Sequence, residues 1–314
     1  MKILLIGGCG FVGRHLSHAL RLRKHEVSVA DLPGAASADS GILAADLTNP
    51  ASVESLLERV RPERVFLLAA VSSVAFSWKE PDSAVRVNVQ GPLNVFHAME
   101  KTVPSARLIY IGSGEEYGAS CSVEHPFTED MPCNPGNPYA VTKFASGKLL
   151  DLLAVKRKLD YVHLRPFNHF GPFQREGFVT ADFCAQIARA EEGTADCRIR
   201  VGNLSARRDF LYIDDVIAAY CMIAEAPSCP HSIYNISTGR NWPVQYLLDY
   251  LISLSEVKIE VEIDPAKFRP VEVPALIASN ALIREDFGWH PETPLEAGLL
   301  KNLNWWRHKI RYGE

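Results

Sequence analysis

The chain has 314 residues, of which 47% are hydrophobic and 22% are charged, and its formal net charge is −4, as expected for a soluble globular protein. The mild negative charge and the scattered lysines and arginines exclude a nucleic-acid-binding surface. No apolar run has the roughly 20 residues that span a bilayer or the form of a signal peptide, so we expect a cytoplasmic protein with no membrane partner.

The first half of the chain alternates short apolar segments with helical patterns, which is typical of parallel strands joined by crossover helices. The apolar segments predict strands at 2–6, 27–30, 42–45, 64–68, 107–111 and 161–164. The patterns between them predict helices at about 10–24, 51–59, 83–101 and 138–158. We therefore expect an α/β fold with a Rossmann-type doubly wound parallel sheet.

After Arg165-Pro166 the alternation becomes irregular. The remaining patterns predict helices near 180–191, 214–225, 243–254 and 294–309, and strands near 198–201, 232–236 and 257–263. We expect the segment 232–236 to return to the main sheet. The sequence thus predicts a larger domain of residues 1–170 and 208–238, and a smaller, non-contiguous α/β domain of residues 171–207 and 239–314.

A glycine-rich turn follows the first strand and begins the first helix. Its glycines have the spacing G-x-x-G-x-x-G, at Gly7, Gly10 and Gly13, with Phe11 and Val12 between the last two. Bare backbone at a helix N-terminus favours a pyrophosphate, so this turn predicts a dinucleotide site in the larger domain.

Asp31 ends the second predicted strand, 18 residues after Gly13. A carboxylate there is able to accept hydrogen bonds from a ribose 2′-hydroxyl and to repel a 2′-phosphate, so it slightly favours NAD(H) over NADP(H). A solvated aspartate that begins a turn would explain it as well. Further residues predicted beside the adenine and ribose follow the third and fourth strands: Asp46, Leu47, Ala69 and Ala70.

A phenol and an ammonium lie four residues apart on one predicted helix face, at Tyr139 and Lys143. A nearby cation is expected to lower the pKa of a tyrosine toward the range useful for proton transfer, although a surface pair would show the same spacing. Ser113 follows the strand 107–111, where side chains at the carboxyl end of a parallel sheet face the ligand crevice. Together the three residues predict a proton-transfer site.

The glycine-rich turn, Ser113 and Tyr-x-x-x-Lys, in this order along the chain, resemble the short-chain dehydrogenase/reductase superfamily. Five further strings resemble its extended branch, which acts on nucleotide sugars: Asn88-Val89-Gln90-Gly91, Gly112-Ser113-Gly114-Glu115-Glu116-Tyr117-Gly118, Arg165-Pro166-Phe167-Asn168-His169-Phe170-Gly171-Pro172, Arg207-Arg208-Asp209-Phe210 and Arg269-Pro270-Val271-Glu272-Val273-Pro274. Within the branch, the chain is most similar to the GDP-4-keto-6-deoxymannose reductases, and next to the GDP-mannose 4,6-dehydratases.

The resemblance implies that Tyr139 is the general acid, that Lys143 binds the nicotinamide ribose and that Ser113 polarises the sugar C4 carbonyl. It places Pro166 beside the cofactor and assigns the nucleotide-sugar substrate to seven residues: Asn168, Phe178, Val179, Asn203, Arg208, Arg269 and Glu272. Planar bidentate guanidinium groups suit a diphosphate, although surface salt bridges would also account for the arginines.

The implied reaction is reduction of GDP-4-keto-6-deoxy-D-mannose to GDP-D-rhamnose by NAD(P)H. Glu115 keeps a second reaction open, because a 4,6-dehydratase needs an additional acid/base two residues after the strand-end serine. A nucleotide-sugar 4-epimerase, a dTDP-ketosugar reductase and a non-catalytic NAD-binding regulator are further alternatives.

The family also implies a homodimer through the helices near 83–101 and 138–158. The seven cysteines are odd in number and lack metal-ligand spacing, so we expect reduced thiols and no metal site.

Overall fold

The computed structural model describes residues 1–35, 41–118, 125–268 and 273–313. Its strands are β1 (Lys2–Ile6), β2 (Glu26–Asp31), β3 (Leu43–Ala44), β4 (Arg64–Leu67), β5 (Arg107–Ile111), β6 (Tyr161–Pro166), β7 (Asn168–Phe170), β8 (Arg198–Val201), β9 (Arg207–Arg208), β10 (Phe210–Tyr212), β11 (Ile233–Ile236), β12 (Trp242–Pro243), β13 (Glu260–Ile263) and β14 (Ala275–Leu276).

The α-helices are α1 (Phe11–Leu22), α2 (Pro50–Val60), α3 (Val74–Lys79), α4 (Pro81–Val85), α5 (Gly91–Thr102), α6 (Pro138–Arg157), α7 (Val179–Glu191), α8 (Ile213–Glu225), α9 (Val244–Ser253), α10 (Ala281–Phe287) and α11 (Leu295–Tyr312). A π-helical stretch, Arg86–Gln90, joins α4 to α5, and short 3₁₀ turns cover Gly114–Tyr117 and Pro265–Lys267. None of the described helices is both long and apolar enough to cross a membrane.

Seven parallel strands form the main sheet in the order β11-β6-β5-β4-β1-β2-β3. The chain runs outward from β1 through β2 to β3, and then returns to β4 and proceeds the other way. The sheet is therefore doubly wound as predicted, and β11 joins it beside β6. The reversal lies between β1 and β4, where the carboxyl ends of such strands form a ligand crevice.

Both faces of the sheet are buried, which explains the nearly continuous apolar strands. In β1, Ile3 and Leu5 pack into the core under α1 and α8, whereas Leu4 and Ile6 pack into the core under α2, α5 and α6. The alternation follows from the two-residue period of a strand.

The smaller sheets are the pair β7 and β10, the pair β8 and β13, and the three strands β12-β9-β14. Helix α7 packs against α11 and α9. These elements lie in and beside the segments predicted for the smaller domain, and the domain boundaries remain a prediction.

The helix predicted at 83–101 is confirmed, because α4, the π-helical stretch and α5 follow one another without interruption, although the π-helical geometry itself was not predicted. Gly91 and Pro92 begin α5 only after the π-helical stretch, in which the buried Asn88 forms side-chain hydrogen bonds to other segments. A π-bulge of this kind is frequent at functional sites.

Candidate active site

A single cavity of about 1510 Å³ contains every predicted site residue that the structure describes. It lies at the carboxyl ends of β1, β2, β4, β5 and β6. The predicted residues on its wall are Gly7, Gly10, Phe11, Val12, Gly13, Asp31, Asp46, Leu47, Ala69, Ala70, Ser113, Glu115, Tyr139, Lys143, Pro166, Asn168, Phe178, Val179, Asn203 and Arg208. Arg269 and Glu272 lie outside the described residues.

The three glycines of the turn have different steric surroundings. A Cβ on Gly7, whose φ is +85°, would lie 2.4 Å from the Ala69 nitrogen, and a Cβ on Gly13 would lie 2.4 Å from the Gly8 oxygen. At both positions neighbouring backbone atoms leave no room for a side chain. A Cβ on Gly10 would meet the Gly7 oxygen at 3.4 Å, an ordinary contact, so Gly10 is not required by packing of the protein itself.

Gly10 is also the N-cap of α1, and no described side chain caps this end. The first backbone N–H groups of a helix carry partial positive charge and need acceptors. The bare Gly10 cradle therefore fits a dinucleotide pyrophosphate.

Asp31 holds the glycine turn from the end of β2. Its Oδ2 accepts a hydrogen bond from the Cys9 N–H at 2.9 Å, and its Oδ1 accepts one from the Leu32 N–H at 2.9 Å. The carboxylate thus lies beside the turn on the cavity wall, where the sequence places the adenosine ribose.

Asn88 fixes the loop after β4 to helix α6. Its Oδ1 accepts a hydrogen bond from the Val71 N–H at 2.8 Å. Its Nδ2 donates to the Val71 oxygen at 3.0 Å and to the Thr142 hydroxyl at 3.0 Å. Thr142 adjoins Lys143. Asn88 belongs to a string that resembles the family, but its burial within a helical pattern is visible only in three dimensions.

Ser113 and Tyr139 meet in the cavity. Ser113 follows β5 as the N-cap of the short 3₁₀ turn, Tyr139 lies in the first turn of α6, and the Ser113 hydroxyl is close enough to the phenol to act on its pKa. The Tyr139 N–H donates to the buried Ser77 hydroxyl at 3.1 Å, which ties the first turn of α6 to α3. The predicted pair of hydroxyls is thus assembled from separate elements.

Lys143 is buried and contacts β5. Its Nζ donates to the Ile111 oxygen at 2.7 Å and lies 5.2 Å from the centre of the Tyr110 ring. Burial lowers the pKa of Lys143 to about 8, although the charge of Glu116 acts to raise it. Lys143 therefore titrates closer to neutrality than an ordinary lysine.

The predicted lowering of the Tyr139 pKa by Lys143 is wrong. Burial raises the pKa of Tyr139 above its ordinary value, the nearby Ser113 hydroxyl acts to lower it, and the charges of Glu115 and Glu116 raise it further. The spacing of the pair on α6 did not show that two carboxylates lie close to the phenol.

Glu115 lies beside Tyr139 but is tied to the start of α6. Its Oε2 accepts a hydrogen bond from the Asn137 amide at 3.2 Å, and the Asn137 Oδ1 accepts from the Ala140 N–H at 2.9 Å as the N-cap of α6. The carboxylate is close enough to act on the phenol's pKa, and its bond to Asn137 gives it a structural partner as well.

The far part of the cavity is rich in cations, namely Arg175, Arg200, Arg208, Lys267 and Lys309. Arg208 is buried, and its Nη1 donates to the oxygens of Arg207 at 2.9 Å and Val273 at 2.7 Å. Positive charge on this wall suits an anionic group of a ligand.

The same wall carries residues predicted beside a nucleoside. Phe178 is the N-cap of α7 and Val179 begins it, while Asn168 begins β7. The Asn203 side chain accepts from the Ser205 N–H at 2.9 Å. Asp182, in the first turn of α7, was not predicted as a site residue; its carboxylate accepts from the Gly177 N–H at 2.6 Å and lines the cavity.

Comparison with known proteins places these features in a family. The description "NAD dependent epimerase/dehydratase family" matches residues 3–237. A GDP-6-deoxy-D-mannose reductase of Pseudomonas aeruginosa is 30% identical over 310 residues, which are 99% of this chain and 98% of that protein.

Two solved structures resemble the chain over nearly its whole length. The structure of RMD from Pseudomonas aeruginosa complexed with NADPH has a TM-score of 0.86 at 29% identity, and covers 98% of this chain and 100% of its own. The Thermus thermophilus UDP-glucose 4-epimerase complex with NAD has a TM-score of 0.87 at 25% identity, and covers 98% and 99%.

Proposed function

The chain belongs to the NAD dependent epimerase/dehydratase family, and on that premise we propose that it reduces the C4 ketone of GDP-4-keto-6-deoxy-D-mannose to give GDP-D-rhamnose. At the coarser level it is an NAD(P)-dependent enzyme that modifies nucleotide sugars. The observation that carries the finer proposal is the similarity to the Pseudomonas aeruginosa reductase, which extends across both the glycine turn and the cation-rich wall.

The proton chemistry of the site supports a reduction. A bound nicotinamide cofactor would supply the hydride. Because burial raises the pKa of Tyr139, its hydroxyl is protonated at neutral pH and is able to donate a proton to the C4 oxygen. Ser113, beside Tyr139 in the cavity, would donate to the same oxygen and direct the ketone toward the phenol.

The cofactor would be held by the walls around the glycine turn. Gly10 and the start of α1 receive the pyrophosphate, Lys143 the nicotinamide ribose, and Asp31 the adenosine ribose. The Asp31 carboxylate slightly favours NAD(H). The two similar structures carry NADPH and NAD, so NADP(H) remains the alternative.

The diphosphate of the substrate would lie against Arg208, with Asn168 adding an amide hydrogen bond, and Arg269 and Glu272 are proposed to complete this wall. Phe178, Val179 and Asn203 would border the nucleoside. The Asp182 carboxylate on this wall favours guanine as the base of the nucleotide, because guanine presents two adjacent N–H donors to a carboxylate. Thymine presents a single donor between two acceptors.

The decisive experiment supplies GDP-4-keto-6-deoxy-D-mannose or its dTDP-linked counterpart with NADH or NADPH. We expect cofactor oxidation with the GDP sugar, and an NMR spectrum of GDP-D-rhamnose. Tyr139→Phe should bind the cofactor normally and lose turnover by about 10²- to 10⁴-fold, since a positioned proton donor contributes about this factor. Near-normal turnover in that variant would remove Tyr139 from the mechanism.

A 4,6-dehydratase is the second candidate because Glu115 lies close to Tyr139. In that reaction GDP-mannose alone would yield the 4-keto sugar with no net consumption of cofactor, and Glu115→Gln would abolish it. We place reduction first, because the Glu115 carboxylate binds the Asn137 amide at the start of α6.

We also propose a cytoplasmic homodimer. Exposed apolar side chains follow one another along α6, at Val141, Leu149, Leu152 and Val155, the last of which is 77% exposed. Covering them in a second copy would remove this surface from water. The six described cysteines are free thiols, which accords with a reducing compartment. Light scattering should give twice the chain mass, and Leu152→Lys should give a monomer.

A further inference from the structure

A buried cluster of charges lies directly beneath Ser113 and is not explained by the reaction itself. The Glu116 carboxylate is fully buried, and its Oε1 is 3.0 Å from His163 Nε2 while its Oε2 accepts from Arg165 Nε at 3.0 Å. Both partners are on β6 and are themselves buried. Taking these charges out of water costs free energy even when they are paired, so stability alone does not account for the cluster.

Glu116 is joined to the active site through the backbone of Ser113. Its Oε1 accepts a hydrogen bond from the Ser113 N–H at 2.9 Å, and its own N–H donates to the Ser113 oxygen at 3.1 Å. The Ser113 hydroxyl in turn accepts from the backbone of the same turn, at 3.2 Å from the Glu115 N–H, and this acceptance together with the bond from the Ser113 N–H to Glu116 forms a capping box, which fixes the turn that carries the hydroxyl. The position of Ser113 therefore depends on Glu116.

The same carboxylate acts on Lys143 through its charge. It raises the pKa of Lys143 against the lowering caused by burial, and it is the charge that most affects this lysine among the described residues. Lys143 donates its hydrogen bond to Ile111, next in the chain to Gly112. A Cβ on Gly112 would lie 2.3 Å from the Glu116 Oε1, so the carboxylate packs directly against the end of β5.

We propose that Glu116 is a positioning residue of the active site: its carboxylate, held by His163 and Arg165, fixes the Ser113 turn and supplies the buried negative charge beside the end of β5, to which Lys143 is hydrogen-bonded. That Lys143 binds the cofactor ribose rests on the proposed function. The other titratable or charged groups around the cluster are Tyr110 on β5, Tyr139 on α6, Tyr161 on β6, Glu115 in the same turn, and Glu129 and Cys133 in the loop before α6.

Glu116→Gln separates charge from shape, because the amide oxygen still accepts from the Ser113 N–H while the negative charge is lost. Affinity for NADH or NADPH is measured by fluorescence titration across pH 6 to 10, which requires no sugar substrate. In the unaltered protein we expect affinity to fall as Lys143 loses its proton above about pH 8. In Glu116→Gln the midpoint of this fall should move down by about one pH unit.

Glu129→Gln is the matched control. Glu129 is a partly buried carboxylate near the same Arg165, but it accepts from the Asn235 N–H rather than from Ser113. This variant should lower the melting temperature without moving the midpoint. An unchanged midpoint in folded Glu116→Gln, or an equal displacement in Glu129→Gln, would overturn the proposal.

Should Glu116→Gln show no cooperative melting, Glu116→Asp replaces it, since aspartate keeps the charge and shortens the reach. The pH at which cofactor affinity falls should match that of the unaltered protein. Turnover of the ketosugar should decrease, because the Ser113 N–H loses the carboxylate that accepts its hydrogen bond. A displaced midpoint in Glu116→Asp would contradict the charge role. If the unaltered protein binds cofactor but reduces no ketosugar, the reduction proposal fails and the binding midpoints still test Glu116.

Discussion

Alanine substitutions in the glycine turn should separate an effect on cofactor binding from an effect on folding. A Cβ at Gly10 has room in the protein, whereas a Cβ at Gly13 would overlap the backbone. Gly10→Ala places its Cβ 3.4 Å from the Gly7 oxygen, and the residue has φ −70° and ψ 177°, which alanine readily adopts. Loss of glycine at an N-cap should cost only about 0.5–1 kcal/mol of unfolding free energy. The new methyl group, however, faces the cradle proposed for the pyrophosphate.

We therefore expect Gly10→Ala to melt within a few degrees of the unaltered protein and to bind NADH or NADPH at least about tenfold more weakly, which corresponds to about 1.4 kcal/mol. Gly13→Ala is the contrast. Its Cβ would lie 2.4 Å from the Gly8 oxygen and 2.6 Å from the Gly8 carbonyl carbon, so the turn must move. The overlap should cost about 3 kcal/mol or more, which exceeds the roughly 1 kcal/mol that alanine gains within a helix.

Urea unfolding followed by circular dichroism measures the stability of both variants, and fluorescence titration measures the affinity. Unchanged affinity in Gly10→Ala would refute the placement of the pyrophosphate at this cradle. A Gly13→Ala variant as stable as the unaltered protein would refute the close packing of the turn.

Three further predictions follow from other contacts. Asn88→Ala should lower the unfolding free energy by about 2–4 kcal/mol in urea titrations, because it leaves buried backbone partners at Val71 unpaired, and it should also reduce kcat. Arg107→Met removes the buried partner of Asp160 and of three carbonyl oxygens, and should cost about 3 kcal/mol while leaving cofactor affinity unchanged. His163 and Arg165 hold the pKa of Glu116 below its ordinary 4.5 despite burial. The stability that this provides is present above pH 4.5 and is lost as the pH falls through the lower pKa of the folded state. Acid unfolding should therefore show a decrease in unfolding free energy over this pH range that Glu116→Gln lacks.

The strands of the main sheet and the site trio were accessible from sequence because both follow local patterns. Apolar runs of four or five residues predicted the buried strands, and the spacing of Tyr139 and Lys143 on one helix is a local property of α6. The π-helical geometry at 86–90 was not accessible, since Asn88 turns inward toward partners 17 and 54 residues away in the chain.

One contact of Glu116 does have a local signal in the sequence. Ser113 and Glu116 have the S-x-x-E spacing of a capping box, which predicts the backbone link between them. The pairing with His163 and Arg165 needs the alignment of β5 beside β6, and no local pattern gives that alignment. For the same reason the direction of the Tyr139 pKa could not be predicted, because the nearby carboxylates are brought to it by the fold.

The packing around His163 shows why the distance between Ser113 and Tyr139 is fixed by the fold. A Cβ on Gly112 would lie 2.1 Å from His163 Nε2, and a Cβ on Gly147 would lie 2.4 Å from its Cε1. Gly112 precedes Ser113, and Gly147 is on α6 two turns after Tyr139, so one imidazole separates the two elements that carry the reacting hydroxyls. Enlarging either glycine must push α6 and the Ser113 turn apart. Gly147→Ala should therefore lower kcat more than cofactor affinity, since the glycine turn at β1 is untouched, and an equal loss of both would show that α6 moves as a whole with the cofactor site.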